Sequence, residues 1–209
     1  MTWTKAVGKA CGKLLHAIVH AMALARISPN VLTFMGLVIN VVAAFLFGYA
    51  AGDNQRRMFF YAGLVIFGAG FFDLVDGRVA RASNQVTRFG AFFDSVLDRY
   101  SDAALFFGLL VYYARGNRFF YVVLTALVMI SAVMVSYTRA RAESLIGACR
   151  VGFMERPERL VLIIIGALFN RMAPVLWVIA VLSTITVIHR MYYTWQRTRA
   201  MEASSAGSA

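Results

Sequence analysis

Six apolar stretches, each close to the ~20 residues that cover a bilayer's hydrocarbon core, constrain this chain more than any other feature. They lie at about 31–51, 58–79, 89–113, 117–138, 157–171 and 174–195. In hydrocarbon there is no water to bond the backbone, so a crossing segment must satisfy its own N–H and C=O groups, as an α-helix does. The fifth stretch is interrupted at one end by Asn170, Arg171 and Pro174. Of the 209 residues, 60% are hydrophobic and 15% charged, whereas a soluble domain has roughly 45–50% and about 25%. The expected architecture is an all-α integral membrane protein with six transmembrane helices, a single domain over 1–209 whose bundle occupies 28–199.

Ahead of the bundle, Lys5, Lys9 and Lys13 recur every four residues among Val7, Leu14, Leu15, Ile18 and Val19. That pattern predicts an N-terminal interfacial amphipathic helix within 1–27, its lysines toward anionic headgroups, and not a cleaved signal peptide. Ser28-Pro29-Asn30 then starts the first span. The small, polar residues 200–209 predict a disordered tail. With the N-terminus inside, only Arg56, Arg57, Arg115, Arg118 and Arg171 of the 21 Lys and Arg residues fall outside. The positive-inside rule therefore puts both termini in the cytoplasm of a multi-pass protein of the cell (inner or plasma) membrane. The net charge of +11 gathers at span ends, which points to the bilayer and not to nucleic acid. Cys11 and Cys149 are far apart and predict neither a disulfide framework nor a metal site.

Half of the ten acidic residues, Asp73, Asp76, Asp94, Asp98 and Asp102, fall within thirty positions at the ends of two apolar spans. Charge at membrane depth is costly and usually functional. Asp73 and Asp76 are three apart and Asp94 and Asp98 four apart, so each pair shares a helix face. A turn around 82–87 would set the two helices antiparallel with the pairs facing each other. Carboxylates packed together need a counter-charge. Oxygen-only ligands favour hard cations such as Mg²⁺, Mn²⁺ or Ca²⁺, and two such ions suit displacement at phosphorus. Gly77 and Ala80 leave room for a ligand, and Arg81 is placed to reach a diphosphate. Asp102 continues the stripe and is read as the partner of a nearby arginine.

The pattern Asp73-x2-Asp76-Gly77-x2-Ala80-Arg81-x8-Gly90-x3-Asp94-x3-Asp98 resembles the complete signature of the CDP-alcohol phosphotransferase family. The six spans, the N-terminal helix and Pro29-Asn30-x2-Thr33 extend the resemblance over essentially the whole chain. It implies transfer of a phosphatidyl group from CDP-diacylglycerol to an acceptor hydroxyl, with release of CMP and dependence on two divalent cations, Mg²⁺ or Mn²⁺. By position it implies Asp73, Asp76, Asp94 and Asp98 as metal ligands and Asp98 as the general base. Asn30, Thr33, Gly77, Ala80, Arg81 and Thr87 would hold the CDP-lipid. It also implies a homodimer and an active site open to the cytoplasm.

The polar stretch after the fourth span, about 139 to 158, carries Arg139, Arg141 and Arg156, with Arg159 just beyond and Arg190 on the aspartate side of the last span. A single arginine there is ordinary positive-inside charge. A cluster of five suits an acceptor with its own phosphate, which Arg matches in bidentate geometry. This resembles the phosphatidylinositol-phosphate synthase branch, whose acceptor is inositol 1-phosphate, and implies Ser136, Arg139, Arg141, Arg159 and Arg190 as the acceptor pocket. Arg139 departs mildly from the Lys frequent there. Phosphatidylglycerophosphate synthases, which use glycerol 3-phosphate, share the basic charge and are the alternative. An ion-coupled transporter would spread its carboxylates through the membrane depth, and a lipid-binding scaffold would not need their spacing.

Overall fold

The structure, a computed structural model, describes residues 28–82 and 87–206, with the backbone alone at 71–72, 74–82 and 204–206. The helix expected within 1–27 lies outside the described residues. Six α-helices follow in order: α1 Pro29–Tyr49, α2 Gln55–Ala82, α3 Arg88–Arg115, α4 Phe119–Ile146, α5 Arg156–Leu168 and α6 Met172–Ala206, with one 3₁₀ turn at Gly52–Asn54. No strand occurs among the described residues. Three helices, Pro29–Tyr49, Phe119–Ile146 and the Met172–Ala203 part of α6, are long and apolar enough to cross a membrane by length and composition.

Each helix overlaps one expected span, and the differences lie at the ends. α4 runs eight residues past 138 to Ile146, so much of the expected polar connection is helix. Ala140, Arg141, Ala142, Glu143 and Leu145 are good helix formers, and Arg139 and Glu143 add an i, i+4 ion pair at 3.1 Å. The helix stops at Gly147, whose φ of +79° suits a residue without Cβ. At the C-terminus α6 continues through Ala206, so the stretch expected to be disordered from 200 is helical up to that residue.

The helices close into a ring: α1 packs on α2 and α3, α3 on α4, α4 on α6, α6 on α5, and α5 back on α2. Among the described residues α2 and α3, expected to run antiparallel, both pack on α1. Arg156 of α5 reaches a carboxylate of each, Asp73 and Asp98. The core includes Phe47, Phe59, Leu105, Phe106, Leu109 and Ile163. α1 and α3 touch through backbone: a Cβ on Gly108 would lie 2.3 Å from the Ala44 carbonyl oxygen. Such small-residue contacts are how membrane helices approach closely. The outside is apolar as well, with Phe45, Phe67, Phe107 and Phe119 all exposed. This is the surface of a membrane protein, which meets lipid and not water.

Candidate functional site

The site starts from α3, where Asp94, Asp98 and Asp102 follow one another at four-residue spacing along one face. α2 contributes Asp73, whose Oδ1 sits 2.9 Å from where a Cβ on Gly36 of α1 would stand. A side chain at position 36 would displace that carboxylate, a constraint the motif does not include. Asp76, Gly77, Ala80 and Arg81 all lie in the same last turns of α2, and only their backbone is described.

α5 supplies the cations. Arg156 Nη1 lies 2.7 Å from Asp73 Oδ2 and 2.8 Å from Asp98 Oδ1, and its Nε is 3.7 Å from Asp102 Oδ1. One turn deeper, Arg159 is 1% exposed and pairs with Asp102. Asp102 is thus the partner of an arginine, as expected. Arg159, expected in the acceptor pocket, is turned into the protein along this ladder. Arg156 takes the open position instead.

Facing the carboxylates is a second set of charges. Arg190 of α6 is 1% exposed, donates Nε to the Val151 carbonyl at 2.8 Å and Nη1 to the Val135 carbonyl. Its Nη2 reaches Glu155 Oε1 at 3.0 Å. Arg139 Nη1 donates to that same oxygen at 2.7 Å while its Nε holds Glu143. Arg141 contacts Ser144 and lines a second groove with Tyr137, Thr194 and Trp195, to which Arg190 also contributes.

A short connection from Gly147 to Glu155 carries Glu155 and Arg156 into place. The Met154 N–H donates to Thr186 Oγ1 at 3.1 Å. Gly152 has a φ of +102°, and a Cβ there would come within 2.5 Å of the Thr186 side chain. Gly152, Thr186 and the Val151 carbonyl hold this link and Arg190 in place, and no local motif reveals them. They matter through contacts between distant parts of the chain.

The two sets of charges enclose a cavity of about 130 Å³ lined by Asp98, Asp102, Ser136, Arg139, Glu155, Arg156 and Arg190, among others. On the far side of Arg156 lies an apolar cleft of about 530 Å³ between α2 and α5, lined by Ile66, Phe67, Gly70, Leu160, Val161 and Ile164 and ending at Asp73. Arg156 therefore stands at the boundary of a polar cavity and an apolar one. Near the N-termini of α1 and α3, Thr87 Oγ1 accepts from the Gly90 N–H at 2.9 Å, and Asn30 Oδ1 would be 3.4 Å from a Cβ on Gly90. Asn30, Thr87 and Gly90 are thus neighbours. Thr33 is buried and donates to the Pro29 carbonyl at 3.1 Å.

Among the described residues no three metal-ligating groups converge; the Asp76 carboxylate is not among them. Two carboxylates that share one cation form an oxygen-only anionic site, and such a site fits a hard divalent ion. Clustered carboxylates beside arginines are side chains of the kind that displacement at phosphorus can use.

Residues 26–204 match the CDP-alcohol phosphatidyltransferase family. The chain is 38% identical over 184 residues to an archaetidylinositol phosphate synthase of Pyrococcus horikoshii, covering 88% of this chain and 92% of that one. It is 35% identical over 188 residues to a phosphatidylinositol phosphate synthase of Mycobacteroides abscessus, covering 86% and 83%. Among solved structures it is similar to Mycobacterium tuberculosis phosphatidylinositol phosphate synthase with CDP-DAG bound. That similarity has a TM-score of 0.76 and 30% identity, covering 88% of this chain and 94% of that one. The same mycobacterial protein in complex with manganese and citrate gives a TM-score of 0.74 at 31% identity, covering 87% and 88%.

Proposed function

The chain belongs to the CDP-alcohol phosphatidyltransferase family, and we propose that it transfers the phosphatidyl group of CDP-diacylglycerol to inositol 1-phosphate, releasing CMP. The observation that carries this reading is the meeting of opposite charges at one cavity: Asp98 and Asp102, paired with Arg156, line it together with Arg139 and Arg190. A neutral alcohol has no use for those arginines, whereas a phosphorylated one does. The inositol-phosphate synthases among the relatives favour inositol over glycerol.

The acceptor hydroxyl would approach Asp98, which takes its proton as the oxygen attacks the β-phosphorus. The new P–O bond forms as the bond to CMP breaks. Asp73, Asp76, Asp94 and Asp98 would hold two Mg²⁺ or Mn²⁺ ions, which neutralise the diphosphate and stabilise the leaving CMP. Asn30, Thr33, Gly77, Ala80, Arg81 and Thr87 would hold the CDP part, and an acyl tail would enter through the apolar cleft between α2 and α5. Ser136, Arg139, Arg156 and Arg190 would receive the acceptor phosphate. Arg159 acts one step back, by fixing Asp102. Arg141, expected beside them, lines the second groove and would act there.

We also propose that all six helices cross the bilayer, with the interfacial helix before them and both termini and the site cytoplasmic. The charge distribution and the apolar exterior support this topology. One domain and a homodimer complete the proposal, the latter on the family resemblance alone. The test is CMP release from labelled CDP-diacylglycerol with Mg²⁺, run in parallel with inositol 1-phosphate, glycerol 3-phosphate, inositol and serine. Fastest turnover is expected with inositol 1-phosphate. Faster turnover with glycerol 3-phosphate would make the chain a phosphatidylglycerophosphate synthase, and no release with any alcohol would reopen the transporter reading.

A further inference from the structure

We infer that Glu155 is an internal stand-in for the acceptor's phosphate: it pairs with Arg139 and Arg190 when the cavity is empty, gives way when a phosphorylated alcohol enters, and returns to drive out the product's headgroup phosphate. The inference rests on the reading that the acceptor is phosphorylated. A single carboxylate oxygen, Glu155 Oε1, accepts from Arg139 Nη1 at 2.7 Å and Arg190 Nη2 at 3.0 Å. Those donors come from α4 and α6 and point into the cavity. They are the bonds an anionic ligand would need.

The arginines do not depend on Glu155 for their positions. Arg190 is fastened by the Val151 and Val135 carbonyls, and Arg139 by Glu143. Without Glu155 the fork of donors would stay in place but lack an anion. Arg190 is buried, and the two carbonyls that hold it leave its charge uncompensated, which is costly, so an empty site of this kind favours an anionic occupant. Glu155 provides one, and its side chain is 39% exposed, so it is free to turn out to water when displaced. A phosphate brings more charge and more acceptor oxygens than a carboxylate, which favours the exchange. A neutral hydroxyl brings neither.

The same exchange acts on the product, whose headgroup keeps the acceptor's phosphate. Arginines that bound this phosphate without competition would retain the product. A carboxylate on the adjoining helix cap keeps binding reversible, because it re-forms its own pairs as the phosphate leaves. Glu155 is on this account an affinity-setting residue and takes no part in bond making.

A residue that only braced the arginines would weaken anion binding when removed, whereas a competitor strengthens it. The full chain in nanodiscs of neutral lipid is titrated with inositol 1-phosphate and, separately, with inorganic phosphate, by calorimetry. Glu155→Gln should bind both about tenfold more tightly than wild type, and should lower KM for the acceptor and kcat together. Glu155→Ser, which keeps an N-cap side chain for α5, should behave alike, and CDP-diacylglycerol binding in both variants reports that the fold is intact. Unchanged or weaker binding of both anions would overturn the stand-in. Tighter phosphate binding without CMP release from wild type would overturn the substrate reading and leave the stand-in standing.

Discussion

The two walls of the cavity are built in different ways. The carboxylate wall takes Asp98 and Asp102 from consecutive turns of one helix, with Asp94 one turn before them and Asp73 reached through Arg156 from the helix just before. The arginine wall takes Arg139 and Arg190 from two helices that the chain visits far apart. Each wall also holds one ion from the same dipeptide: Arg156 sits among the carboxylates, and Glu155 sits between the arginines. Side chains fixed by local periodicity are readable in the sequence, and those fixed by helix packing become readable only in the fold.

The sharpest division between the walls is catalytic. Asp98→Asn keeps the shape of the side chain but removes its ability to take a proton, and should lower CMP release by about 10³-fold, within the range for loss of a general base. CDP-diacylglycerol binding, measured by equilibrium dialysis in detergent, should stay near wild type. Substantial activity in this variant would remove Asp98 from the role of base.

Arg156 and Arg159 divide the two walls again. Arg156→Ala should raise the acceptor KM about tenfold through loss of one phosphate contact. It should also tighten Mn²⁺ binding, since the guanidinium that shares Asp73 and Asp98 is gone, and electron paramagnetic titration of Mn²⁺ reads that second effect directly. Arg159→Ala should act on stability instead. It leaves the buried Asp102 with only the longer contact to Arg156, at a cost of about 3 kcal/mol, visible as a fall in Tm with the acceptor KM little changed. If the two variants exchanged their phenotypes, the assignment of Arg156 to the cavity and Arg159 to the core would be reversed.

It is the resemblance to the phosphatidylinositol-phosphate synthase branch, and not spacing, that implies Arg159 in the pocket. Arg156 and Arg159 are three apart on α5 and so lie on nearly the same face, and the spacing alone does not say which of them is level with the cavity. Asp102 decides it, by drawing in the deeper arginine. The extent of α4 was likewise hidden: Ser136 to Glu143 is polar enough to look like a connection, yet its residues favour helix. The six helices and the aspartate stripes were legible because they depend on period and length, properties of neighbours in sequence. The ring order, with α1 between α2 and α3, depends on the close approach at Gly108, which no pattern of polarity reports.

Between the walls, the link from Gly147 to Glu155 is the part that sets the dipeptide in place. Gly152→Ala would put a Cβ within 2.5 Å of the Thr186 side chain at a positive φ, and such strain costs about 1–3 kcal/mol. The link would shift and move Glu155 and Arg156 together, so acceptor KM and Mn²⁺ affinity should change in the same variant, each by several-fold. A change in only one of them would mean that the two residues are positioned independently.

The smallest expected effect tests the boundary of the arginine wall. Arg141 is only two residues from Arg139, yet on a helix that separation turns a side chain to nearly the opposite face. It contacts Ser144 and lines a groove with Tyr137, Thr194 and Trp195, where bilayer headgroups are a closer partner than a soluble acceptor. Arg141→Ala should therefore change the acceptor KM by less than about twofold, while Arg139→Ala, which removes a donor that faces the cavity, should raise it about tenfold. Steady-state kinetics at saturating CDP-diacylglycerol separate the two. Equal effects would extend the wall to a face that α4 turns away from the cavity, and would mean that the acceptor is held in the outer groove as well.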